Sequence, residues 1–149
     1  GGVGISAVQL ARLAGARVIG TGSESWFDFL RSLGAEPVTY GEGLAERVRA
    51  LAPGGITAAT DLYGTETVAA ARKLGVPDSR ISVIAAQVPG VRGVTGANAA
   101  PGTLERVAEL VVAGKIIVPI AATYPVEQIQ EAARFQATRH AHGKVVVTL

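Results

Sequence analysis

The 149-residue sequence contains no cysteine and no methionine, and only 5% of its residues are aromatic. The lack of cysteine excludes disulfides, thiolate nucleophiles and thiolate zinc ligands from this segment. Because 48% of the residues are hydrophobic, the core must consist mainly of Ala, Val, Leu and Ile, which suits a sheet covered by helices. The most apolar window, Val107 to Val126, is interrupted by Glu109 and Pro119, so it predicts a helix, a turn and a strand, with no membrane span.

Charge of one sign is also lacking. The 14 basic and 12 acidic residues are mixed along the chain and give a net charge of +2, with no basic run that would indicate nucleic-acid binding. No signal peptide is visible, and we expect a cytoplasmic protein without nucleic-acid or membrane partners. Since the sequence begins inside a motif and has no initiator Met, we expect it to be part of a longer protein whose first strand precedes Gly1.

The motif at the start is Gly1-Gly2-Val3-Gly4, followed directly by an apolar helical segment. It provides G-x-x-G, the second half of the G-x-G-x-x-G dinucleotide fingerprint. Glycine lets a pyrophosphate approach the backbone, and the free N–H groups of a helix N-terminus bind phosphate. Glycine-rich turns before helices are also common in proteins that bind no ligand there. The surrounding fold therefore decides whether this motif indicates a dinucleotide site.

Short apolar strands alternate with helices along the rest of the chain. The predicted helices are Gly4–Ala14, a helix between Ser25 and Gly34, Gly43–Leu51, Thr65–Leu74, Thr103–Ala113 and Val126–Thr138. The predicted strands are Ala16–Gly20, Pro37–Tyr40, Ile56–Thr60, Ile81–Ala85, Ile116–Ile120 and Lys144–Leu149. This order predicts the α/β class, as a Rossmann-type doubly wound parallel sheet whose first strand is absent from the sequence.

The end of the second strand of such a sheet indicates which cofactor binds. NAD-binding proteins usually carry an Asp or Glu there, which accepts from the ribose 2′-OH. Here the strand ends in Gly20-Thr21-Gly22-Ser23, without a carboxylate, and Ser23 and Ser25 could donate to a 2′-phosphate. NADP(H) is therefore favoured, with NAD(H) as the alternative. Both serines could instead cap the next helix, and Ser25 with Asp28 fits a capping box.

Several stretches resemble the cofactor domain of the medium-chain dehydrogenase/reductases, and most of all its quinone-oxidoreductase-like branch within the zinc-type alcohol dehydrogenase-like proteins. These stretches are Gly1–Gly4, Ala7–Ala11, Gly15–Thr21, Leu33–Ala35 and Gly143–Val146. The resemblance implies an NADP(H)-dependent oxidoreductase that transfers hydride to or from a quinone, enone or similar carbonyl substrate. It also implies that this segment alone is inactive.

The resemblance further implies a domain organisation. Residues 1–122 would form the dinucleotide-binding domain without its first strand, and residues 123–149 would return to a GroES-like catalytic domain outside this sequence. The family's strand order is 3-2-1-4-5-6, and its homodimers form through the edge strand, here Ile116–Ile120. The branch generally lacks catalytic zinc.

Site residues follow from the resemblance position by position. The residues implied in cofactor binding are Gly1, Gly2, Val3, Gly4, Gly22, Ser23, Ser25, Tyr40, Tyr63, Gly64, Ala85 and Ala86. The glycines would face the pyrophosphate, Tyr40 the adenosine, and the last four residues the path to the nicotinamide. The sequence departs from the family at Ser25, where a basic residue is frequent, and at Thr39, where an Asp is frequent.

Other chemistry finds little support in the residues. No Tyr-x-x-x-Lys pair, P-loop or G-x-S-x-G elbow is present. His140 and His142 have no third ligand at suitable spacing, so we predict no metal site. Asp61 is interpreted as a residue of the turn that ends a strand. No catalytic residue is predicted, because the cofactor itself carries the hydride. A methyltransferase of the same fold and a non-catalytic binding or regulatory module remain as alternatives.

Overall fold

A computed structural model of the protein describes residues 1–138, 141 and 143–149, so His140 and His142 lie outside the described residues. The helices are α1 (Gly2–Leu13), α2 (Phe27–Ser32), α3 (Leu44–Leu51), α4 (Glu66–Lys73), α5 (Thr103–Val112) and α6 (Ile129–Ala137). The strands are β1 (Val18–Thr21), β2 (Ala35–Val38), β3 (Ala59–Asp61), β4 (Ile81–Val83), β5 (Arg92–Gly93), β6 (Ile120–Pro125) and β7 (Lys144–Thr148). Helices and strands alternate as predicted, except that the short strand β5 follows β4 without an α-helix between them.

All strand pairs are parallel, which confirms the predicted α/β class. The pairs form three sheets, ordered β1–β2, β3–β4–β5 and β6–β7. Two predicted neighbours are confirmed, because β1 pairs with β2 and β3 pairs with β4. No strand of the described residues joins the β1–β2 sheet to the β3–β4–β5 sheet.

Contacts divide the chain into two units. The first unit consists of Gly1–Arg17 and Gly102–Leu149, and the second of Val18–Pro101. The boundary predicted between residues 122 and 123 stays a prediction. In the ranges described above, no helix is both long and apolar enough to cross a membrane.

The second unit buries small apolar side chains between its strands and the helices α3 and α4. One cluster contains Val38, Leu44, Ala45, Val48 and Ala70, and another contains Val68, Ala71, Val76, Ile81 and Val83. The side chains of Ile81, Val68 and Val83 are the largest of those that are fully buried. These contacts hold the carboxyl ends of the strands, and the loops that follow them, in fixed positions.

The first unit contains a buried polar side chain, Gln9 of α1. Its Nε2 donates to the carbonyls of Ile5 at 3.1 Å and Ile117 at 3.0 Å, and its Oε1 accepts from the N–H of Ile117 at 2.8 Å. Because both backbone groups of Ile117 bond to this amide, they are not available to a neighbouring strand. Pro119, two residues later, has no N–H to donate.

These contacts correct the predicted strand Ile116–Ile120, the proposed edge for a homodimer. The strand instead runs from Ile120 to Pro125 and pairs in parallel with β7. α6 packs on this pair, with the rings of Tyr124 and Phe135 6.5 Å apart. Of the predicted strand, only Ile120 lies in β6.

Candidate functional site

The glycine motif forms the start of α1. The helix begins at Gly2, two residues earlier than predicted, and its first backbone bond runs from the N–H of Ile5 to the carbonyl of Gly1 at 3.1 Å. The N–H groups of Gly2, Val3 and Gly4 therefore precede the first intrahelical donor. In the described part of the chain, no side chain caps this turn and the turn contains no acidic residue. Such a helix end can accept an anion.

Lys144 lies beside this turn and was not predicted as a site residue. A Cβ placed on Gly2 would be 3.2 Å from the Nζ of Lys144. The ammonium and the positive end of the helix therefore add their potentials at one position, which attracts anions. In the sequence, the only indication of Lys144 was the motif Gly143-Lys144, and this residue was assigned to the last predicted strand.

The loop after β1 carries Gly22, Ser23 and Ser25. The Oγ atoms of the two serines are 3.0 Å apart and hydrogen-bonded to each other. The predicted capping box is wrong: a 3₁₀ turn precedes α2, neither helix start has a side-chain cap, and Asp28 pairs with Arg31 at 2.8 Å. The serine hydroxyls therefore do not serve as helix caps.

The loop after β2 carries Tyr40, whose side chain is 60% exposed. Tyr40 was predicted to end the strand, but β2 ends at Val38. The reason is that the carbonyls of Thr39 and Tyr40 accept hydrogen bonds from Arg47 of α3, which takes them out of the sheet ladder. On the other side of this loop, Glu66 of α4 accepts from the N–H of Gly41.

The loop after β3 is organised by Asp61, which is buried at 3% exposure. Its Oδ1 accepts from the N–H groups of Tyr63 at 3.0 Å and Gly64 at 2.7 Å, and its Oδ2 accepts from Thr67 at 2.8 Å. The interpretation of Asp61 as a turn residue is therefore confirmed, and its carboxylate also bonds to the first turn of α4. Tyr63, held by this turn, is 77% exposed.

Ala85 and Ala86 lie in the loop after β4, which ends at Val83. Contacts of Arg72 hold the part of the loop beyond them. Arg72 of α4 bonds Asp78 through two parallel contacts of 2.8 Å and donates to the carbonyl of Pro89 at 2.9 Å. The hydrogen bonds from Arg72 lower the pKa of the Asp78 carboxyl from its ordinary value. The contacts of Arg72 therefore connect the end of α4 to the loop that follows β4.

Three contacts connect the strand ends and loops that carry the predicted residues of the second unit. The N–H of Gly22 donates to the carbonyl of Val38 at 3.0 Å, which joins the loops after β1 and β2. The bond from Gly41 to Glu66 joins the loop after β2 to the start of α4. The N–H of Ile84 donates to the carbonyl of Asp61 at 3.1 Å, which joins the ends of β3 and β4. Gly1–Gly4 lie in the first unit.

Comparison with protein families gives one decisive match. A model described as zinc-binding dehydrogenase matches residues 2–107, which is more than half of the chain. The chain belongs to the zinc-binding dehydrogenase family. This confirms the predicted resemblance to the cofactor domain of the medium-chain dehydrogenase/reductases. No curated protein matches the chain significantly.

Several solved structures share the fold of this chain. An NAD-dependent alcohol dehydrogenase is 27% identical, with a TM-score of 0.82, and the match covers 97% of this chain and 47% of that protein. The CurK enoyl reductase is 25% identical, with a TM-score of 0.79, over 99% of this chain and 52% of its own. A mycobacterial protein solved with NADPH is 22% identical, with a TM-score of 0.76, over 100% of this chain and 54% of its own; this likeness shows the fold alone. The chain spans about half the length of these proteins.

The described residues of this family member do not provide the ligands of a zinc site. The sequence has no cysteine, and residues 1–138, 141 and 143–149 hold no group of three or more His, Cys, Asp or Glu side chains that could bind a metal. Structural and catalytic zinc sites require three or four such ligands. No zinc chemistry is therefore assigned to this chain.

Proposed function

We propose that this chain binds the nicotinamide cofactor of an oxidoreductase that transfers hydride between NADP(H) and an enone, quinone or similar carbonyl compound. The observation that carries the proposal is the set of loops at the carboxyl ends of two parallel strand pairs: Ser23 and Tyr40 follow the paired strands β1 and β2, and Tyr63 follows β3, which pairs with β4. Open parallel sheets bind nucleotides in this position. The bound cofactor would supply the hydride, and the chain would hold and orient it.

The candidate residues divide by chemistry. The uncapped turn Gly1–Gly4, with Lys144 beside it, suits the pyrophosphate. Gly22, Ser23 and Ser25 suit the ribose and its 2′-phosphate, and Tyr40 suits the adenine ring. Tyr63, Gly64, Ala85 and Ala86 follow β3 and β4 and suit the nicotinamide half.

The substrate class has support from one relative. The 25% identical CurK structure is an enoyl reductase, and reduction of an enoyl group is the same class of reaction as reduction of an enone. The quinone alternative rests on the resemblance of the five stretches given above, from Gly1–Gly4 to Gly143–Val146. We expect the chain alone to be inactive. The cytoplasmic location and the homodimer stay predictions.

The first test is a paired titration of the full-length protein with NADPH and NADH under identical conditions, followed by energy transfer from Trp26 to the reduced nicotinamide. We expect NADPH to bind more tightly, followed by oxidation of NADPH when a simple enone or quinone is added. Equal or tighter binding of NADH would contradict the preference for NADPH, but it would still support a dehydrogenase. Failure to bind either would favour a non-catalytic module.

A substitution at Ser23 tests the preference for NADPH. A Ser23→Asp substitution places a carboxylate where NAD-binding proteins carry one, and this carboxylate repels a 2′-phosphate while accepting from a 2′-OH. We expect the Kd for NADPH to rise by at least about 10-fold, with the Kd for NADH unchanged or lower. Ser23→Ala is the matched control and should shift the Kd for NADPH only a few-fold. A parallel loss of both cofactors in Ser23→Asp would contradict the assignment of this loop.

A further inference from the structure

A single guanidinium organises the loop from Thr39 to Gly43, called here the β2 loop. Arg47 donates from Nε and Nη2 to the carbonyl of Thr39 at 3.1 and 2.9 Å. Its Nη2 also donates to the carbonyls of Tyr40 at 3.1 Å and Gly41 at 3.0 Å, and its Nη1 donates to Glu42 at 2.6 Å. Four consecutive carbonyls therefore turn toward one side chain.

This arrangement depends on the fork geometry of arginine. A guanidinium presents five N–H donors in a plane, whereas a lysine ammonium is a compact point charge. Gly43 has a φ of +79°, and a Cβ on it would be 3.0 Å from the Nη1 of Arg47, so the glycine leaves room for the side chain. The backbone of the β2 loop is thus shaped around Arg47.

The opposite side of the β2 loop is held as well. Its amide at Gly41, which has a φ of +93°, donates to the carboxylate of Glu66 at the start of α4. Side chains of two helices, Arg47 of α3 and Glu66 of α4, therefore clamp the backbone of the loop. The Tyr40 side chain takes no part in these bonds and is 60% exposed.

The clamped loop lies next to the serine pair. β1 and β2 are parallel neighbours with Thr21 opposite Val38, and the N–H of Gly22 bonds the carbonyl of Val38. An exposed aromatic side chain and two hydroxyls thus occur on adjacent loops at the carboxyl ends of two strands. Bases stack on aromatic side chains, and hydroxyls bond ribose and phosphate oxygens, so this pairing matches the adenosine half of a dinucleotide.

We propose that Arg47, assisted by Glu66, is a positioning residue for the adenosine half of the cofactor. It acts through the β2 loop, by holding Tyr40 ready to stack before the cofactor arrives, so that binding does not have to order the loop. The proposal rests on the proposed function, since it needs a dinucleotide at this edge.

The test compares the full-length wild type with Arg47→Ala, Arg47→Lys and the control Arg49→Ala, which lies two residues further along the same helix. The probes are NADPH, 2′,5′-ADP, which is the adenosine half, and reduced nicotinamide mononucleotide, which lacks it. In Arg47→Ala and Arg47→Lys we expect the Kd for NADPH and 2′,5′-ADP to rise about 10-fold. The Kd for the mononucleotide and kcat at saturating NADPH should stay within twofold, and Arg49→Ala should match the wild type.

Three results would overturn the proposal. Unchanged affinity for 2′,5′-ADP in Arg47→Ala would show that the clamp does not serve adenosine binding. An equal loss with the mononucleotide would indicate a general structural role. Failure of the wild type to bind NADPH and 2′,5′-ADP would overturn the proposed function itself, which is visible before any variant is made. If Arg47→Ala does not fold, the Glu66→Ala variant decides, because it releases the loop from α4. We expect it to raise the Kd for 2′,5′-ADP about threefold and to leave the Kd for the mononucleotide unchanged.

Discussion

Substituting Asp61 with alanine is expected to speed amide exchange in the turn after β3 by about 100-fold, because the turn loses about 3 kcal/mol of local stability. The buried carboxylate accepts three backbone N–H bonds, from Tyr63, Gly64 and Thr67. Hydrogen bonds to charged groups are the stronger ones, and unpaired buried N–H groups are costly. Hydrogen exchange of these three amides in the full-length protein measures the effect.

Asp61→Asn refines this test, because an amide keeps one acceptor oxygen and replaces the other with an NH₂ donor. We expect the Tyr63 and Gly64 amides to stay protected while the Thr67 amide exchanges faster. Asp28→Ala is the control, since this carboxylate is fully exposed and pairs with Arg31, and it should leave exchange unchanged throughout the turn. Wild-type protection of all three amides in Asp61→Ala would contradict the role given to the carboxylate.

Helix ends were predictable from the sequence because glycine acts locally. α1, α2 and α4 all end just before a glycine, as predicted. Gly15, Gly34 and Gly75 have φ values of +85°, +84° and +82°, which other residues adopt only with strain. Because this conformational preference belongs to glycine itself, it can be recognised from the sequence without knowledge of the fold.

Strand ends were less predictable because remote side chains compete for the backbone. Thr39 and Tyr40 have the pattern of a strand, but Arg47 captures their carbonyls. Ile117 likewise has an apolar strand sequence, but Gln9, 108 residues away, bonds both of its backbone groups. Hydrophobic periodicity contains no information about such partners.

The candidate site was predictable to the extent that topology decides it. Loops after paired parallel strands meet at one edge, so the position of Ser23 and Tyr40 on neighbouring loops follows from the predicted pairing of β1 with β2. Arg47, Glu66 and Lys144 were missed for a different reason. Each lies in a helix or strand where a charged residue ordinarily indicates a solvated face, and its role depends on contacts that only the folded chain forms.

Gly143→Ala is expected to destabilise the β6–β7 pair by at least about 3 kcal/mol, because it combines backbone strain with a steric clash. Gly143 has a φ of +140°, and a Cβ on it would lie 2.9 Å from the carbonyl carbon of Pro119 and closer still to its oxygen. That oxygen accepts the N–H of Lys144 at 2.8 Å, just where β6 and β7 meet. Relief of the clash would have to move one strand away from the other.

The matched control is Gly114→Ala in the same unit. Gly114 also has a positive φ, +66°, but a Cβ on it would meet no atom within 4 Å, so only the backbone strain of about 1 kcal/mol is expected. Thermal unfolding of the full-length variants, together with hydrogen exchange of Ile120–Pro125, separates the two contributions. Because Gly114→Ala carries the strain without the clash, equal effects of the two substitutions would mean that the backbone at Pro119 yields freely, and that the pairing of β6 with β7 does not depend on the close approach at Gly143.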